Sequence, residues 1–236
     1  MENKKSVWVC LLTYNEEDNL KVLIPQINEE FGTRLSGVNY SINVVDARKT
    51  TDNTKQLCKD LNVNYFVQPG FGQADAMRYA IKLCDKDLFF ILDADCSHNP
   101  KYIPDMYNNF INNDCDIVIG SRYVPGGVTN DKLSSQIMSH ILNSVMRSIL
   151  GLKTKDISGG YRLYDAKQLK AIKIASENFE MQQEILARMK ANNRNIKIGE
   201  TPIVFEQRLN GTSTRRLMLY IWCYIKNIFR IIKILH

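Results

Sequence analysis

The apolar residues of this chain follow two alternating patterns. Short apolar runs cover residues 7–12, 40–45, 63–67, 88–92 and 116–120. Between the first two runs, apolar residues recur at helical spacing, at Leu20, Leu23, Ile24 and Ile27. The short runs predict strands, and the segments between them predict helices near residues 20–27, 54–61, 74–83 and 101–112. This alternation predicts βαβ units, and therefore an α/β fold with a mostly parallel, twisted sheet flanked by helices.

Beyond residue 124 the pattern becomes less regular. It predicts, in order, a loop at 125–127, a helix over 137–150 ended by Gly151, a loop from 156 that leads into a strand, a helix over 181–191 and a strand at 203–205. No internal repeat or low-complexity linker divides the chain. We therefore predict one domain over residues 1–214, built from the halves 1–123 and 124–214, and an amphipathic helix over residues 215–236.

Composition narrows the class of protein. The chain has 236 residues, of which 44% are hydrophobic and 24% are charged, and its net charge is +6. This charge allows anionic partners, but no basic tract with interleaved aromatic residues is present, so we do not expect nucleic-acid binding. The six cysteines have no Cys-x-x-Cys spacing, and several fall inside apolar runs. This distribution favours buried free thiols in a reducing compartment.

The clearest candidate chemistry follows the apolar run at 88–92. Asp93 and Asp95 come directly after it, with one residue between them. A continuous apolar run of this length is typical of a strand that is buried on both faces, and ligands of open α/β sheets bind at the carboxyl ends of such strands. Two carboxylates at this spacing suit a hard divalent cation, with diphosphate oxygens completing its coordination. The alternative is that the two aspartates only end the strand, because Asp is common in turns.

A second candidate lies between the third predicted strand and the following helix. Gly70 and Gly72 flank Phe71 there, and glycines at this position allow the backbone to approach a phosphate. The alternative is an ordinary tight turn.

Several segments, taken in order, resemble one enzyme family. They are residues 12–16 (Leu-Thr-Tyr-Asn-Glu), Asp46, residues 70–72, residues 93–95, residues 120–123 (Gly-Ser-Arg-Tyr) and residues 158–164 (Ser-Gly-Gly-Tyr-Arg-Leu-Tyr). Together they resemble the inverting family 2 glycosyltransferases of GT-A fold. Residues 93–100 and 208–213 are most similar to the dolichyl- or polyprenyl-phosphate mannosyltransferase branch. The resemblance covers residues 7–214.

The resemblance implies a nucleotide-sugar donor, GDP-mannose in the most similar branch, a Mg²⁺ or Mn²⁺ ion, and a polyprenyl or dolichyl phosphate acceptor. It assigns the donor to residues 1–123 and the acceptor to residues 124–214. The implied roles are nucleoside contacts for Leu12, Tyr14, Glu16, Val45 and Asp46, metal binding for Asp93, Asp95 and Ser97, further substrate contacts for Ala94 and Ser139, phosphate contacts for Arg122 and Arg208, and catalytic roles for Asp95, Arg122 and Glu184. For Glu184 the alternative is an exposed helix carboxylate.

This chemistry is consistent with the residue types. Displacement of a nucleoside diphosphate from a sugar places negative charge on the leaving oxygens, which a metal ion and guanidinium groups neutralise. Arginine suits this task because its fork binds phosphate in a bidentate manner and keeps its charge. A lipid phosphate is already anionic, so no strong general base is needed.

The sequence departs from the family at the predicted base site. Members of the family usually carry paired aspartates after the second strand, whereas this chain has Asp46-Ala47-Arg48. One contact to the base is therefore missing or supplied differently. UDP-glucose or another sugar donor remains an alternative.

The acceptor half departs as well. Ser135 and Thr214 stand where a basic residue is common in the mannosyl branch, and Lys132, Arg215 or Arg216 are candidates to compensate. A non-lipid acceptor and a catalytically silent nucleotide-sugar-binding protein remain alternatives.

Residues 217–235 are mostly apolar but contain Lys226, Arg230 and Lys233. Their spacing places the three cations on one helical face, and a cation at the centre of a transmembrane helix costs about 2.5–3.5 kcal/mol. The segment therefore predicts a helix that lies in a membrane interface, which would make the protein peripheral on the cytoplasmic face of a membrane. The alternative is a helix that packs on the domain or on a partner subunit, and we also consider a membrane-protein partner or a homo-oligomer.

Overall fold

The computed structural model describes residues 4–130, 133–178, 180–206 and 217–235; at position 134 and across 217–225 only the backbone is described. The strands are β1 (Val7–Thr13), β2 (Tyr40–Asp46), β3 (Asn64–Val67), β4 (Leu88–Asp93), β5 (Ile117–Ser121), β6 (Val128–Thr129), β7 (Arg162–Asp165), β8 (Ile198–Pro202) and β9 (Val204–Phe205). The helices are α1 (Glu17–Thr33), α2 (Thr54–Asp60), α3 (Gln73–Leu83), α4 (Ile103–Asn112), α5 (Leu133–Leu150), α6 (Ala166–Lys170), α7 (Met181–Asn192) and α8 (Leu217–Leu235).

One sheet joins both halves of the chain. Its strand order is β3-β2-β1-β4-β7-β5-β8, and a second, two-stranded sheet pairs β6 with β9. Strands β3, β2, β1 and β4 are parallel to one another, as are β5 and β8, whereas β7 lies antiparallel between β4 and β5. The expected α/β fold with a mostly parallel sheet is therefore confirmed, with one antiparallel strand in its interior.

Apolar side chains cover both faces of the sheet. On one face, residues of α1 and α4 such as Leu20, Ile24 and Phe110 pack against Val9 and Phe90. On the other face, α3, α5, α6, α7 and α8 pack against alternate strand residues such as Cys10, Phe89 and Ile119. Both faces of β4 are thus buried, which explains its unbroken apolar run.

The structure adds elements that the apolar pattern does not predict. The late strand β8 reads Ile-Gly-Glu-Thr-Pro and, among the described strands, pairs with β5 alone. An edge strand has one solvent-facing side and tolerates Gly and Pro, so it lacks an apolar run. Two further short elements, β6 and α6, also lack a periodic pattern. Helix α5 begins at Leu133, one turn earlier than predicted.

The last ten residues of α8 pack on the domain. Asn227 is buried and donates a hydrogen bond from Nδ2 to the Glu180 carbonyl (3.0 Å), and Ile231 is fully buried in the core. Lys226, Phe229, Ile232 and Lys233 are exposed. Packing on the domain, the alternative to membrane contact, is therefore what the structure shows for one face of this helix. In the described part of the chain, no helix combines the length and apolar character needed to cross a membrane.

Candidate active site

The carboxyl ends of β1, β2 and β4 meet at one edge of the sheet. Thr13, the last residue of β1, pairs with Asp46, and Leu12 pairs with Asp93. The predicted donor-binding residues at these strand ends therefore come together in space.

The Asp93 carboxylate is available to a ligand. Its side chain is 36% exposed, and among the described residues no donor hydrogen-bonds its carboxylate oxygens. The nearest polar neighbour is His98, whose Nδ1 lies 3.6 Å from Oδ2 but accepts a hydrogen bond from the Asp93 backbone N–H (3.0 Å). Burial lowers the pKa of His98, so this imidazole is neutral and acts as an acceptor.

The turn after β4 has a defined shape. Oδ1 of Asp95 accepts hydrogen bonds from the Ser97 backbone N–H (3.0 Å) and from Ser97 Oγ (2.5 Å). Between them, Cys96 has φ +63°, a left-handed conformation that costs a side-chain-bearing residue free energy. Its Sγ lies 3.6 Å from the Asn19 carbonyl, which ties the turn to α1.

The oxygen atoms of this turn suit a hard divalent cation as ligands. Asp93 and Asp95 supply carboxylate oxygens, and the Ser97 hydroxyl is hydrogen-bonded to Asp95. Within the described ranges, no group of three or more His, Cys, Asp and Glu side chains is placed to hold a metal by itself. A pair of carboxylates leaves most coordination positions to diphosphate oxygens and water, which is how Mg²⁺ is commonly bound beside phosphates.

Asp46, a predicted nucleoside contact, is fully buried. Its Oδ1 accepts hydrogen bonds from Thr13 Oγ1 (2.8 Å), Thr50 Oγ1 (2.7 Å) and the Ala47 backbone N–H (3.0 Å), and its Oδ2 accepts one from the Tyr65 hydroxyl (3.0 Å). Burial and this bond raise the pKa of Tyr65, so the phenol stays a donor. Asp46 thus fixes the loop after β2, with both oxygens engaged by the protein.

The other predicted nucleoside contacts differ in exposure. Val45 is buried in the core and Leu12 is half-buried. Glu16 is the N-cap residue of α1 and accepts a hydrogen bond from Asn19 Nδ2 (2.5 Å). Tyr14 is 57% exposed at the sheet edge. Of this group, Tyr14 therefore presents the largest free side-chain surface.

The glycine loop is a tight turn. Gly72 has φ +81°, and the Gly70 backbone N–H donates to Asp75 Oδ2 (2.8 Å). A Cβ at position 70 would lie 2.7 Å from Asp75 Oδ1, which explains the glycine there. The amide of Gly70 is thus used within the loop.

Arg122 forms a buried bidentate ion pair with Asp156. Its Nε donates to Oδ2 and its Nη2 to Oδ1, both at 2.8 Å, and Nη2 also lies 2.9 Å from Ser158 Oγ. Burial alone would raise the pKa of Asp156, but the hydrogen bonds and charge of Arg122 outweigh it and hold this pKa below its usual value. The pair joins the loop after β5 to the loop before β7.

Arg162 holds the loop before β7 by hydrogen bonds from within the core. It is fully buried and donates to the carbonyls of Gly159 (2.8 Å), Gln182 (2.9 Å) and Ile157 (2.5 Å). The loop reaches the predicted metal-binding residues, since a Cβ at Gly160 would lie 3.6 Å from Asp93 Oδ1.

Glu184 is buried, so the interpretation as an exposed helix carboxylate is wrong. Its carboxylate accepts hydrogen bonds from the backbone N–H groups of Ala175 (3.0 Å) and Ser176 (2.7 Å) and from Arg188 Nε (2.6 Å). Arg230 of α8 lies 3.8 Å from it. Burial acts to raise the pKa of Glu184, but these donors outweigh it and lower the pKa.

The segment that Glu184 holds lies next to the glycine loop. Arg78 of α3 donates to the Ser176 carbonyl (2.7 Å), and the Glu177 carbonyl lies 3.5 Å from where a Cβ of Gly72 would be. Glu184 therefore positions a segment that supports the start of α3. A contact of its own with substrate stays a prediction.

In the half predicted to bind the acceptor, α5 contacts the loop before β7. Asn143 Oδ1 accepts a hydrogen bond from the Ser158 backbone N–H (2.9 Å). Ser139 lies one turn earlier on the same side of the helix. Arg208, Lys132, Arg215 and Arg216, predicted phosphate-binding or compensating residues, lie outside the described residues.

Two residues of the site were missed by the sequence interpretation. Asp156 lies 34 residues from its partner Arg122, and Ser176 lies eight residues from Glu184 in an irregular segment. No local spacing signals either pairing. The only available sign was Asp156 itself, a charged residue just ahead of the Ser-Gly-Gly-Tyr segment.

Comparisons with known proteins identify the family of this chain. The profile of the family described as glycosyl transferase family 2 matches residues 8–173. The chain is 31% identical over 236 residues to a dolichol-phosphate mannosyltransferase of Pyrococcus furiosus, covering 96% of this chain and 64% of that protein. It is 36% identical over 131 residues to an undecaprenyl-phosphate mannosyltransferase of Micrococcus luteus, covering 54% of this chain and 52% of that protein. The chain thus spans less than two thirds of the length of both relatives.

Solved structures show the same fold. Glucosyl-3-phosphoglycerate synthase from Mycobacterium tuberculosis, crystallised with Mn²⁺, UDP and phosphoglyceric acid, matches with a TM-score of 0.76 at 14% identity, covering 98% of this chain and 78% of that chain. A complex of that enzyme with Mg²⁺ and UDP matches with a TM-score of 0.74, covering 98% of this chain and 79% of that chain. The fold is the expected GT-A fold. With the family profile matched over residues 8–173, the chain belongs to glycosyl transferase family 2.

Proposed function

We propose that this glycosyltransferase moves mannose from GDP-mannose to a polyprenyl or dolichyl phosphate, with inversion at the sugar carbon. The observation that carries the proposal is the edge formed by β1, β2 and β4. There Asp93, whose carboxylate is partly exposed and accepts no hydrogen bond from the described residues, and the nearby Asp95 follow a buried strand. The names of the two mannosyltransferase relatives support the choice of sugar and acceptor.

In this proposal Asp93, Asp95 and Ser97 would hold a Mg²⁺ or Mn²⁺ ion. Such an ion would supply positive charge against the charge that develops on the leaving diphosphate. The left-handed turn at Cys96 and the neutral His98 keep the two carboxylates in position. His98 does so by accepting the Asp93 backbone N–H and by stacking on Tyr161, with ring centroids 4.8 Å apart.

The transfer needs no proton abstraction. An oxygen of the lipid phosphate, already anionic, forms the new bond to the anomeric carbon from the side opposite the diphosphate, and the bond to the diphosphate breaks with its electron pair on the leaving oxygen. This agrees with the state of two candidate bases. His98 Nδ1 accepts a backbone N–H, and Glu184 accepts hydrogen bonds from Ala175, Ser176 and Arg188.

Arg122 acts in this proposal as both a structural and an electrostatic group. Its ion pair with Asp156 holds the loops after β5 and before β7 beside Asp93. Its delocalised charge stays close to the donor phosphates, while Arg208 contributes a phosphate contact on the acceptor side. Glu184 has a positioning role, through the segment at 175–177.

A lipid acceptor requires contact with a membrane, and two helices offer apolar surface for it. Helix α5 exposes large apolar residues one turn apart, at Leu133, Ile137, Ile141 and Val145. Helix α8 exposes Phe229 and Ile232 next to the exposed Lys226 and Lys233, a combination typical of interfacial helices. We propose that these faces contact the cytoplasmic surface of a membrane, which makes the protein peripheral. Arg230 turns away from them, toward Ser176 and Glu184.

The test is a transfer assay on the full chain with Mn²⁺ or Mg²⁺ and polyprenyl phosphate, offering GDP-mannose and UDP-glucose in parallel. We expect lipid-linked mannose from GDP-mannose and no product from UDP-glucose. Product from UDP-glucose alone would overturn the donor assignment while keeping the reaction class. Transfer to water-soluble acceptors but not to the lipid phosphate would overturn the acceptor. Donor binding without any product would favour a catalytically silent protein.

A further inference from the structure

The loop after β2 carries a cation where the family usually carries a second aspartate. Asp46 is followed by Ala47, Arg48 and Lys49. Asp46 itself is buried, and both of its carboxylate oxygens accept hydrogen bonds from the protein. The second carboxylate of the family is absent here, and Asp46 already accepts hydrogen bonds from the protein. Neither is therefore available to accept N–H groups of a base at this strand end. Base recognition is left to other side chains.

Arg48 is held in place although it is exposed. Its Nη1 donates a hydrogen bond to the Pro69 carbonyl (3.0 Å), and its guanidinium carbon lies 5.5 Å from the centre of the Phe71 ring. Lys49 Nζ lies 5.6 Å from the same ring, and Phe71 is 66% exposed. Among the described residues, Nε and Nη2 of Arg48 make no hydrogen bond, so donors of the guanidinium remain for a ligand.

Arg48 and Phe71 lie along the same sheet edge as Asp93, the proposed metal ligand. Arg48 follows β2, and Phe71 follows β3, whose last residue Val67 pairs with Asp46. In the order β3-β2-β1-β4, three strand spacings separate β3 from the strand that ends at Asp93, about 14 Å at roughly 4.8 Å each. A nucleoside diphosphate whose phosphates lie near Asp93 would extend along this edge, past the exposed Tyr14, and place its base near Arg48.

We propose that Arg48 is the residue that selects the base of the donor, by donating hydrogen bonds to O6 and N7 of guanine. A guanidinium fork matches this pair of acceptors, which uracil lacks and in which adenine offers only N7. The Pro69 carbonyl and the Phe71 ring are positioning groups that orient the fork. This inference rests on the proposed function, because it concerns the base of the GDP-mannose donor.

The experiment is isothermal titration of the full chain with GDP, ADP, UDP and 7-deaza-GDP in the presence of Mg²⁺. The variants are Arg48→Ala, Arg48→Lys, which keeps the charge but not the fork, and Arg194→Ala as an exposed arginine control in the turn between α7 and β8. We expect Arg48→Ala and Arg48→Lys to weaken GDP binding about tenfold, the lower part of the range for a bidentate base contact. ADP and UDP affinity should change less than twofold, and Arg194→Ala should match the parent chain.

The modified base gives the sharper readout. The parent chain should bind 7-deaza-GDP more weakly than GDP, and this difference should disappear in Arg48→Ala. Equal loss for all diphosphates would overturn the inference, because Arg48 would then contact phosphate or ribose. Unchanged GDP binding, equal binding of GDP and 7-deaza-GDP by the parent chain, or no binding of guanine nucleotides would also overturn it.

The inference and the proposed function can fail separately. If guanine selection depends on Arg48 but no mannose is transferred to polyprenyl phosphate, the proposed function alone is wrong. If Arg48→Ala transfers mannose with an unchanged preference for GDP over UDP donors, this inference alone is wrong.

Discussion

Two aspartates end neighbouring parts of the same sheet edge and have opposite surroundings. Asp46 ends β2, is fully buried and accepts hydrogen bonds from Thr13, Thr50, Ala47 and Tyr65. Asp93 ends β4, is about a third exposed and accepts no hydrogen bond from the described residues. Residue type and strand position are the same in both. The two differ in how many hydrogen-bond donors the neighbouring segments place around the carboxylate. These donors make Asp46 part of the fold, whereas Asp93 keeps oxygens that a ligand can reach.

The largest expected effect is the loss of activity in Asp93→Asn. The substitution keeps the side-chain shape and removes no described hydrogen bond to its oxygens, but it removes the negative charge of a proposed metal ligand. Metal ions supply several kcal/mol of transition-state stabilisation, so we expect transfer to fall by about 1000-fold or more. A transfer assay with a Mn²⁺ titration measures this, and thermal unfolding should be unchanged. Full activity would contradict the metal role of Asp93.

Asp156 extends the comparison to a third carboxylate. It is buried like Asp46, but its partner is the charged guanidinium of Arg122. In Asp156→Asn the guanidinium of Arg122 loses the charge of the Asp156 carboxylate, and breaking a buried ion pair costs about 3–5 kcal/mol. The pKa of Asp156 is lowered in the folded state. Its stabilisation is therefore present above the unfolded pKa, about 3.9, and is lost as the pH falls through the lower folded value.

Urea unfolding at pH 7 and at acidic pH measures both effects. The control is Asp114→Asn, which removes an exposed ion pair with Lys197 (2.8 Å) and suits the left-handed backbone there, φ +47°. We expect no measurable change in the control. A similar loss in both variants would mean that burial does not distinguish these pairs.

Asp46→Asn tests the other side of the comparison directly. The amide nitrogen cannot accept a hydrogen bond, so at least one of the buried donors around it loses its partner, at a cost of about 1–3 kcal/mol. We expect lower stability in urea unfolding, with a smaller loss of transfer than in Asp93→Asn. If Asp46→Asn instead abolished transfer and left stability unchanged, the assignment of Asp46 to the fold would be wrong.

The smallest expected effect is that of Thr50→Val, which removes one donor to Asp46 and keeps the branched shape. We expect a loss of about 1 kcal/mol, because the Asp46 carboxylate keeps its remaining donors. Thr50→Ser retains the hydroxyl and is the matched control. Equal unfolding free energies for the two variants would show that this hydrogen bond contributes nothing.

The sequence was sufficient for the sheet and for the position of Asp93 at its edge, whereas the metal role of that residue stays a prediction. Buried parallel strands need apolar residues on both faces, so β1 and β4 were visible as apolar runs, and the end of the second run placed Asp93. The edge strand β8 was not visible, because it buries only part of its surface.

The division of roles between the aspartates was not predictable. The partners of Asp46 include Thr13 and Tyr65, which are 33 and 19 residues away, and Arg122 finds Asp156 at a separation of 34 residues. These contacts depend on which loops the fold brings together at one edge. Local spacing carries no information about them, whereas it does identify the strands.

The packing of α8 has a consequence for anyone who expresses shortened forms of this protein. A chain cut before Lys226 would uncover the apolar surface beneath Ile231 and remove the Arg230 contacts with Ser176 and Glu184. Newly exposed apolar surface promotes aggregation, so such a fragment should be less soluble than the full chain. Replacing the outward residues Phe229 and Ile232 with polar ones should improve solubility without disturbing the core.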